Sequence, residues 1–318
     1  MNSNSPLVTV ALCTYNDAQY IESSIKSLLN QTYKNLQIII VNDGSTDATA
    51  NIVKNIKDNR IHFIDRDNKG KAASLNEILD TAEGKYLVIQ DGDDLSKFNR
   101  IEVLVDQMEN NTHIAMMLSG YDLIIGEKIF APRGQYKSPD TCKELISQLR
   151  NPELDPTMIV KLDLAKSYRF NPEYKIGQCL DFIFRIGEKH PILVLEDILY
   201  SYRFNLNSNT KINYKRKEEY LLRIFNSAKD RRNEKRITPS ELAEKLGSRR
   251  RSKDNNLSGH FSESIFQQIK NGNRFKTFNL CWFAIKNINL NKNFAKSIVY
   301  PFLPLSVIVF LKSRLGEK

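Results

Sequence analysis

Four short apolar runs, each leading toward a polar or charged segment, constrain this chain more than any other feature. Leu7–Cys13 (L-V-T-V-A-L-C) is almost continuously apolar and leads into T-Y-N-D at 14–17. Leu36–Val41 stops at N-D-G-S-T-D, Arg60–Ile64 is the third run, and Tyr86–Gln90 runs straight into D-G-D-D at 91–94. Runs of this kind mark parallel strands buried on both faces. Between and after them apolar residues recur at helical spacing: Ile21/Ile25/Leu28/Leu29, then Leu75/Ile78/Leu79/Ala82, then Ile101/Leu104/Val105/Met108. A further helix is expected from about Asp47 to Lys57, capped by Ser45 and Thr46, and Gly84 is expected to close the helix before it. The order β-α-β-α-β-α-β predicts an α/β fold with a doubly wound, mostly parallel sheet, right-handed crossovers and helices on both faces. Ligands of such sheets bind beyond the carboxyl ends of the strands. T-Y-N-D, N-D-G-S and D-G-D-D all lie there, so chemistry is expected along one sheet edge.

The rest of the chain is less patterned. A strand is expected at Ile114–Leu118, a helix near Asp181–Ile186 and a strand at Ile192–Leu195, followed by L-Y-S-Y-R-F. Composition shifts near residue 211. From there to the end stand 24 basic and 9 acidic side chains, a net of +15, whereas the first 210 residues carry −5 and the whole chain +10. This predicts a front domain over 1–210, with a first half to about 110 and a second half from 111 to 210. A basic, mainly helical region follows over 211–318. Its apolar run Ser297–Leu311 contains Pro301 and Pro304 and is flanked by Lys296 and Lys312. It falls short of the roughly 20 residues a spanning helix needs. Basic charge beside a short apolar run predicts attachment to an anionic membrane surface and not to nucleic acid. The four cysteines form no C-x-x-C pair and the four histidines are scattered, which argues against a zinc ribbon or a disulfide framework. No basic leader precedes the first apolar run. A cytoplasmic, peripheral location is therefore expected.

D-G-D-D places Asp91, Asp93 and Asp94 within four residues. Carboxylates that close repel unless a cation joins them, and hard oxygen donors suit Mg²⁺ or Mn²⁺ accompanied by substrate phosphates. The alternative is an acidic N-cap before a helix over Ser96–Met108. Asp43 can accept a hydrogen bond from a base or a ribose, or serve only a turn. Tyr15 offers a face on which a base can stack. In N-K-G-K-A-A (68–73), Gly70 stands between two lysines where a helix begins, a place that attracts phosphate. Neither a Walker A loop nor a G-x-G-x-x-G loop is present, which removes most of the case for nucleotide hydrolases and nicotinamide enzymes.

Taken in order, V-T-V-A-L-C-T-Y-N, N-Q-T-Y-K-N-L-Q-I-I-I-V-N-D-G-S-T-D, N-K-G-K-A-A-S-L-N and A-E-G-K-Y-L-V-I-Q-D-G-D-D resemble the family 2 glycosyltransferases of GT-A fold. The match is dense over about 7–110 and thin to about 210. The resemblance implies an inverting transferase that uses a nucleotide-diphosphate sugar and Mn²⁺ or Mg²⁺. Tyr15 and Asp43 would hold the base, with Thr14, Lys71 and Asp91 in the same nucleotide-binding set. Asp93 would contact metal and diphosphate. Many relatives carry E-D-x-D-L-x-x-R, where this chain reads Q-C-L-D-F-I-F-R (178–185). The E-D pair is replaced by Gln178 and Cys179, which leaves Asp181 as the expected catalytic base. L-Y-S-Y-R-F-N resembles a later segment, with Arg203 toward the diphosphate and Asn205 at a family histidine position near the metal. A UDP-sugar donor is expected, with a glycan or lipid-linked acceptor in bacterial cell-surface polysaccharide synthesis. The rival readings are a degenerate, non-catalytic sugar-nucleotide binder and a nucleotidyltransferase.

Overall fold

A computed structural model describes residues 5–125, 128–204 and 214–250, with isolated positions beyond. The chain divides into two compact units, one of 1–127 with 134–237 and one of 128–133 with 238–318. Composition placed the boundary at 210, whereas the first unit runs on to Ile237.

The first unit opens with β1 (Val8–Thr14), α1 (Ile21–Leu29), β2 (Leu36–Asp43), α2 (Thr49–Asn55), β3 (Ile61–Arg66), α3 (Lys71–Thr81) and β4 (Tyr86–Asp91). Then come β5 (Leu95–Ser96), α4 (Arg100–Asn110) and β6 (Met116–Ile125). Strand β7 (Lys128–Arg133) belongs to the second unit. The first unit resumes with α5 (Pro139–Ser147), a 3-10 turn (Asp155–Thr157), β8 (Ile159–Lys161), α6 (Leu162–Tyr168), α7 (Gln178–Gly187), β9 (Ile192–Arg203) and α8 (Tyr214–Arg231). Helix α9 (Pro239–Arg250) lies in the second unit.

The strands of the first unit run β3-β2-β1-β4-β8-β6-β9-β5. The first four are mutually parallel. Strand β8 is antiparallel to both neighbours, β6 and β9 are parallel, and β5 is antiparallel to β9. The expected mostly parallel sheet is present, with two short antiparallel members that carried too few residues to show a pattern. L-Y-S-Y-R-F is the continuation of the strand expected at Ile192–Leu195.

Both faces of β1, β2 and β4 are buried, which is why they read as unbroken apolar runs; β3, at the sheet edge, is only half-buried. Val8, Val10, Leu12, Ile38, Ile40 and Val88 join one cluster with Ile21, Ile25 and Leu28 of α1 and Leu104, Val105 and Met108 of α4. The alternate residues Ala11, Ile39, Val41, Leu87 and Ile89 are equally buried, and α3 packs beside β1 and β2. Cutting Leu12 or Ile40 to Ala would cost about 2–5 kcal/mol. Helix α8 joins through Phe225, stacked 6.1 Å from Phe184 of α7, and through Arg231 and Arg232, both paired to Glu188 at 2.7 Å. That packing holds a segment of basic composition to the front unit.

Three local expectations are corrected. Asp47, not Ser45 or Thr46, accepts from the Thr49 amide (2.9 Å) at the start of α2. Ser45 instead accepts from the Asn16 amide (2.9 Å), and Asn16 Oδ1 accepts from the Thr46 amide (2.8 Å). The two strand-end loops are thereby tied together. Gly84 does not close α3, whose cap residue is Ala82; a Cβ on Gly84 would lie 2.5 Å from the Thr9 amide nitrogen, so close strand approach is what excludes a side chain there. D-G-D-D is not a helix cap, because β5 intervenes and α4 begins only at Arg100.

Candidate active site

The C-terminal ends of β1, β2 and β4 are adjacent, with Thr14 opposite Asn42 and Cys13 opposite Asp91. Thr14, buried, donates through Oγ1 to Asp17 Oδ2 at 2.8 Å. Tyr15, the next residue, is 41% exposed, as a stacking platform must be. The chain then turns at Asn16, whose φ of +57° lies in the left-handed region that Asn tolerates.

Asp43 ends β2 with its carboxylate buried. Oδ1 accepts from the Lys69 amide and Oδ2 from the Gly70 amide, both at 2.9 Å. Oδ1 also pairs with the Arg66 guanidinium, and Asn68 donates to the Asp43 carbonyl at 2.7 Å. A carboxylate has about four acceptor sites. Three are used by the protein, which leaves one on Oδ2 for a ligand. The N-K-G-K loop therefore wraps around Asp43, and Gly70 takes a φ of +91° to do so. Sequence reasoning missed Arg66, whose run was read as ending at Ile64. The strand continues, and its register sets Arg66 opposite Asp43.

Lys71, in the first turn of α3, pairs with Asp91 Oδ1 at 2.5 Å. Desolvation alone would push this ammonium down, but Asp91 and the neighbouring Asp155 hold it well above the usual lysine value. A Cβ on Gly92 would fall inside contact with Asp17 Oδ2 and 2.9 Å from Thr14 Oγ1. The glycine of D-G-D-D thus leaves room for the β1 loop. Desolvation, and then the like charges of Asp91 and Asp17, push Asp93 up to about 7. Asp94 is fully buried and accepts from the Arg203 amide at 2.7 Å. Desolvation, and then Asp93 and Asp91, hold its carboxyl well above the ordinary range. Arg203 also donates through Nε to the Asp93 carbonyl (2.8 Å) and lies 4.3 Å from the Tyr20 ring centroid. It therefore braces the D-G-D-D loop. Asn205 lies outside the described residues, and so does most of Ser297–Leu311.

Beneath the loop is a side chain that sequence reasoning missed. Arg100, the first residue of α4, is completely buried. Its Nη1 donates to Gln90 Oε1 (3.1 Å) and Ser96 Oγ (2.9 Å), and its Nη2 to the carbonyls of Ile89 (3.0 Å) and Pro156 (2.7 Å). The guanidinium stacks 4.6 Å from the Tyr200 ring centroid. Burial pushes it down to about 10, against the opposing pull of Tyr200, Asp94 and Asp91. A buried cation is tolerable only when hydrogen-bonded; these four acceptors take both Nη groups, while the buried Nε has no hydrogen-bond partner among the described residues.

The expected base, Asp181, is placed elsewhere. Its carboxylate is 2% exposed, accepts from Arg185 Nε at 2.7 Å, and lies 3.8 Å from Arg231. A carboxylate so enclosed and neutralised is poorly placed to meet an acceptor hydroxyl. Helical phase gives the reason. Asp181 follows Cys179 by two residues, about 200° around the axis. Cys179 lies in the electrostatic neighbourhood of Asp155, Lys71 and Asp91, so Asp181 faces away from that cluster. Asp155 itself, half-buried at the head of the 3-10 turn, had no motif to mark it.

Among the described residues no group of three His, Cys, Asp or Glu side chains converges to hold a cation unaided, and no helix is long and apolar enough to cross a membrane. Residues 9–166 match the family described as glycosyl transferase family 2. An uncharacterised glycosyltransferase of Haemophilus influenzae is 34% identical over 222 residues, 66% of this chain and 69% of the relative. A second, from Methanocaldococcus jannaschii, is 32% identical over 227 residues, 68% of this chain and 77% of the relative. This chain is a family 2 glycosyltransferase. Its fold is similar to that of S. aureus TarS 1–349, solved in complex with UDP-GlcNAc, with a TM-score of 0.61 and 18% identity over 81% of this chain and 80% of that one. The GT-A architecture of the transferase is thereby shown.

Proposed function

We propose that this glycosyltransferase moves a sugar from a UDP-sugar to a hydroxyl of a glycan or lipid-linked acceptor, with inversion at the anomeric carbon. The observation that carries the reading is the continuous path Tyr15–Asp43–Gly70–Lys71–Asp91 along one sheet edge. It offers a stacking face, a buried acceptor for a ring N–H, a helix start and a cation, in the order in which uridine, ribose and diphosphate follow one another. UDP and UDP-GlcNAc complexes of TarS support uridine over guanosine.

The donor set fits a divalent cation. Asp93 is a hard oxygen ligand crowded by two other carboxylates, and a cation would relieve the repulsion that raises it. Asp93, with Asn205, would hold Mn²⁺ or Mg²⁺ together with diphosphate oxygens. A metal there supplies Lewis-acid neutralisation of the leaving group. The protein's own residues do the rest: Asp43 and Tyr15 fix the base, and Lys71 holds Asp91 in place.

The basic second region supports attachment to the inner face of a membrane. It presents Trp282 at 64% and Phe302 at 68% exposure, and each basic side chain near an anionic leaflet contributes about 1 kcal/mol. Calorimetry with UDP and GDP, with and without Mn²⁺, tests the donor reading. UDP should bind more tightly, and only it should lose affinity in Asp43→Ala. Equal binding of the two nucleotides would refute it.

A further inference from the structure

The resemblance noted in the sequence implies a carboxylate at the position of Cys179, and the residue expected to compensate, Asp181, is locked to Arg185. Inversion by direct displacement still needs a proton acceptor for the incoming hydroxyl. Cys179 does not meet the need. Its thiol is fully buried, and desolvation together with the nearby Asp155 charge holds it well above the ordinary thiol value, so it is not a thiolate at neutral pH.

The 3-10 turn Asp155–Thr157 brings a different carboxylate to the same place. Strand β8 runs antiparallel to β4 with Ile159 opposite Val88, so the residues just before β8 pass the C-terminal end of β4, where D-G-D-D begins. Arg100 fixes that meeting, because one Nη2 binds both the Ile89 and the Pro156 carbonyls. Thr157 Oγ1 accepts from the Ser119 amide at 3.2 Å and donates to the Leu154 carbonyl at 2.6 Å, which pins the turn from its other side. Asp155 neighbours the Cys179 thiol, and the two influence each other's protonation. It is half-buried, unlike Asp181, and among the described residues no arginine or lysine forms a salt bridge with it. Lys71 links it electrostatically to Asp91.

We propose that Asp155 is the catalytic base of this transferase, supplying from the β8 lead-in the carboxylate that α7 lacks at position 179. The inference rests on the UDP-sugar reading above. In the step, the Asp155 carboxylate takes the proton of the acceptor hydroxyl while that oxygen forms a bond to the sugar's anomeric carbon. The bond from that carbon to the diphosphate oxygen breaks, and its electron pair leaves with UDP. The proton then passes from Asp155 to solvent.

The test uses the full chain, Mn²⁺ and a panel of UDP-hexoses and UDP-N-acetylhexosamines, with water as the acceptor and UDP release as the readout. Asp155→Asn should lower UDP release by about 10²–10⁴-fold, with UDP affinity by calorimetry unchanged. Adding Cys179→Asp to that variant should restore release at least tenfold, because it returns a carboxylate to the same cluster; a merely structural role for Asp155 predicts no such rescue. Release by Asp155→Asn within threefold of wild type overturns the inference and leaves the donor reading intact. Wild-type protein that binds UDP-sugars but never releases UDP also overturns it. Failure to bind UDP at all removes the donor reading and the inference together. Should Asp155→Asn not fold, Asp155→Glu decides: a base displaced by one methylene slows release by tenfold or more at unchanged UDP affinity, and an unchanged rate overturns the proposal.

Discussion

The strand-end rim and the α7 side of this transferase are built on different principles. On the rim, Thr14, Asp43 and Asp91 each end a parallel strand, and Tyr15 stands one residue beyond. Their relative positions follow from strand order and register alone. On the α7 side, Asp155, Cys179 and Asp181 come from a 3-10 turn and two phases of one helix. There the facing of a side chain depends on packing that no strand pattern encodes. A motif at a strand end therefore carries its geometry with it, whereas a motif on a helix carries it only when the helix phase is known.

The contrast can be broken at several points. The largest effect is expected at Asp93. Asp93→Ala should abolish the Mn²⁺-dependent part of UDP binding and lower UDP release by about 10²-fold or more, and chelation of the wild type should have the same consequence. Wild-type UDP affinity in Mn²⁺ for that variant would remove Asp93 from the metal. Next in size is Arg100→Met. It leaves the Ile89 and Pro156 carbonyls without their donor, at about 1–3 kcal/mol each. The melting temperature should fall by several degrees, at roughly 2–4 °C per kcal/mol for a unit of this size. An unchanged melting curve would mean that water replaces the guanidinium. Asp43→Ala should weaken UDP by about 1–3 kcal/mol and leave binding of inorganic diphosphate with Mn²⁺ unaffected. The smallest effect on chemistry is expected at Asp181. Asp181→Asn should change UDP release by less than about threefold while lowering stability, since breaking a buried pair is destabilising. A loss of 10²-fold in turnover with normal melting would return the base role to Asp181.

How far the fold could be read ahead follows the same division. The four apolar runs located β1 to β4 within about two residues; β1, β2 and β4 are buried on both faces and leave no other pattern, and β3 is shown by its shorter apolar run at the edge. The polar clusters that follow three of them meet along one sheet edge. Ser45 was misread because its hydroxyl satisfies the Asn16 loop and not the next helix. Gly84 was misread because the contact that excludes a side chain is with β1, 75 residues away in the chain. Arg100 carried no signal at all, since an arginine at the start of a helix is ordinarily solvated. For Asp181 a signal was present. Its spacing of four from Arg185 is that of a helical ion pair, and that spacing indicated a partner before any role in catalysis was assigned.

One guanidinium holds the C-terminal end of β4 and the turn before β8 at a fixed separation. Arg100 thus acts as an internal gauge between two segments that are far apart in the chain, and a change in this one side chain would be felt at both of them at once.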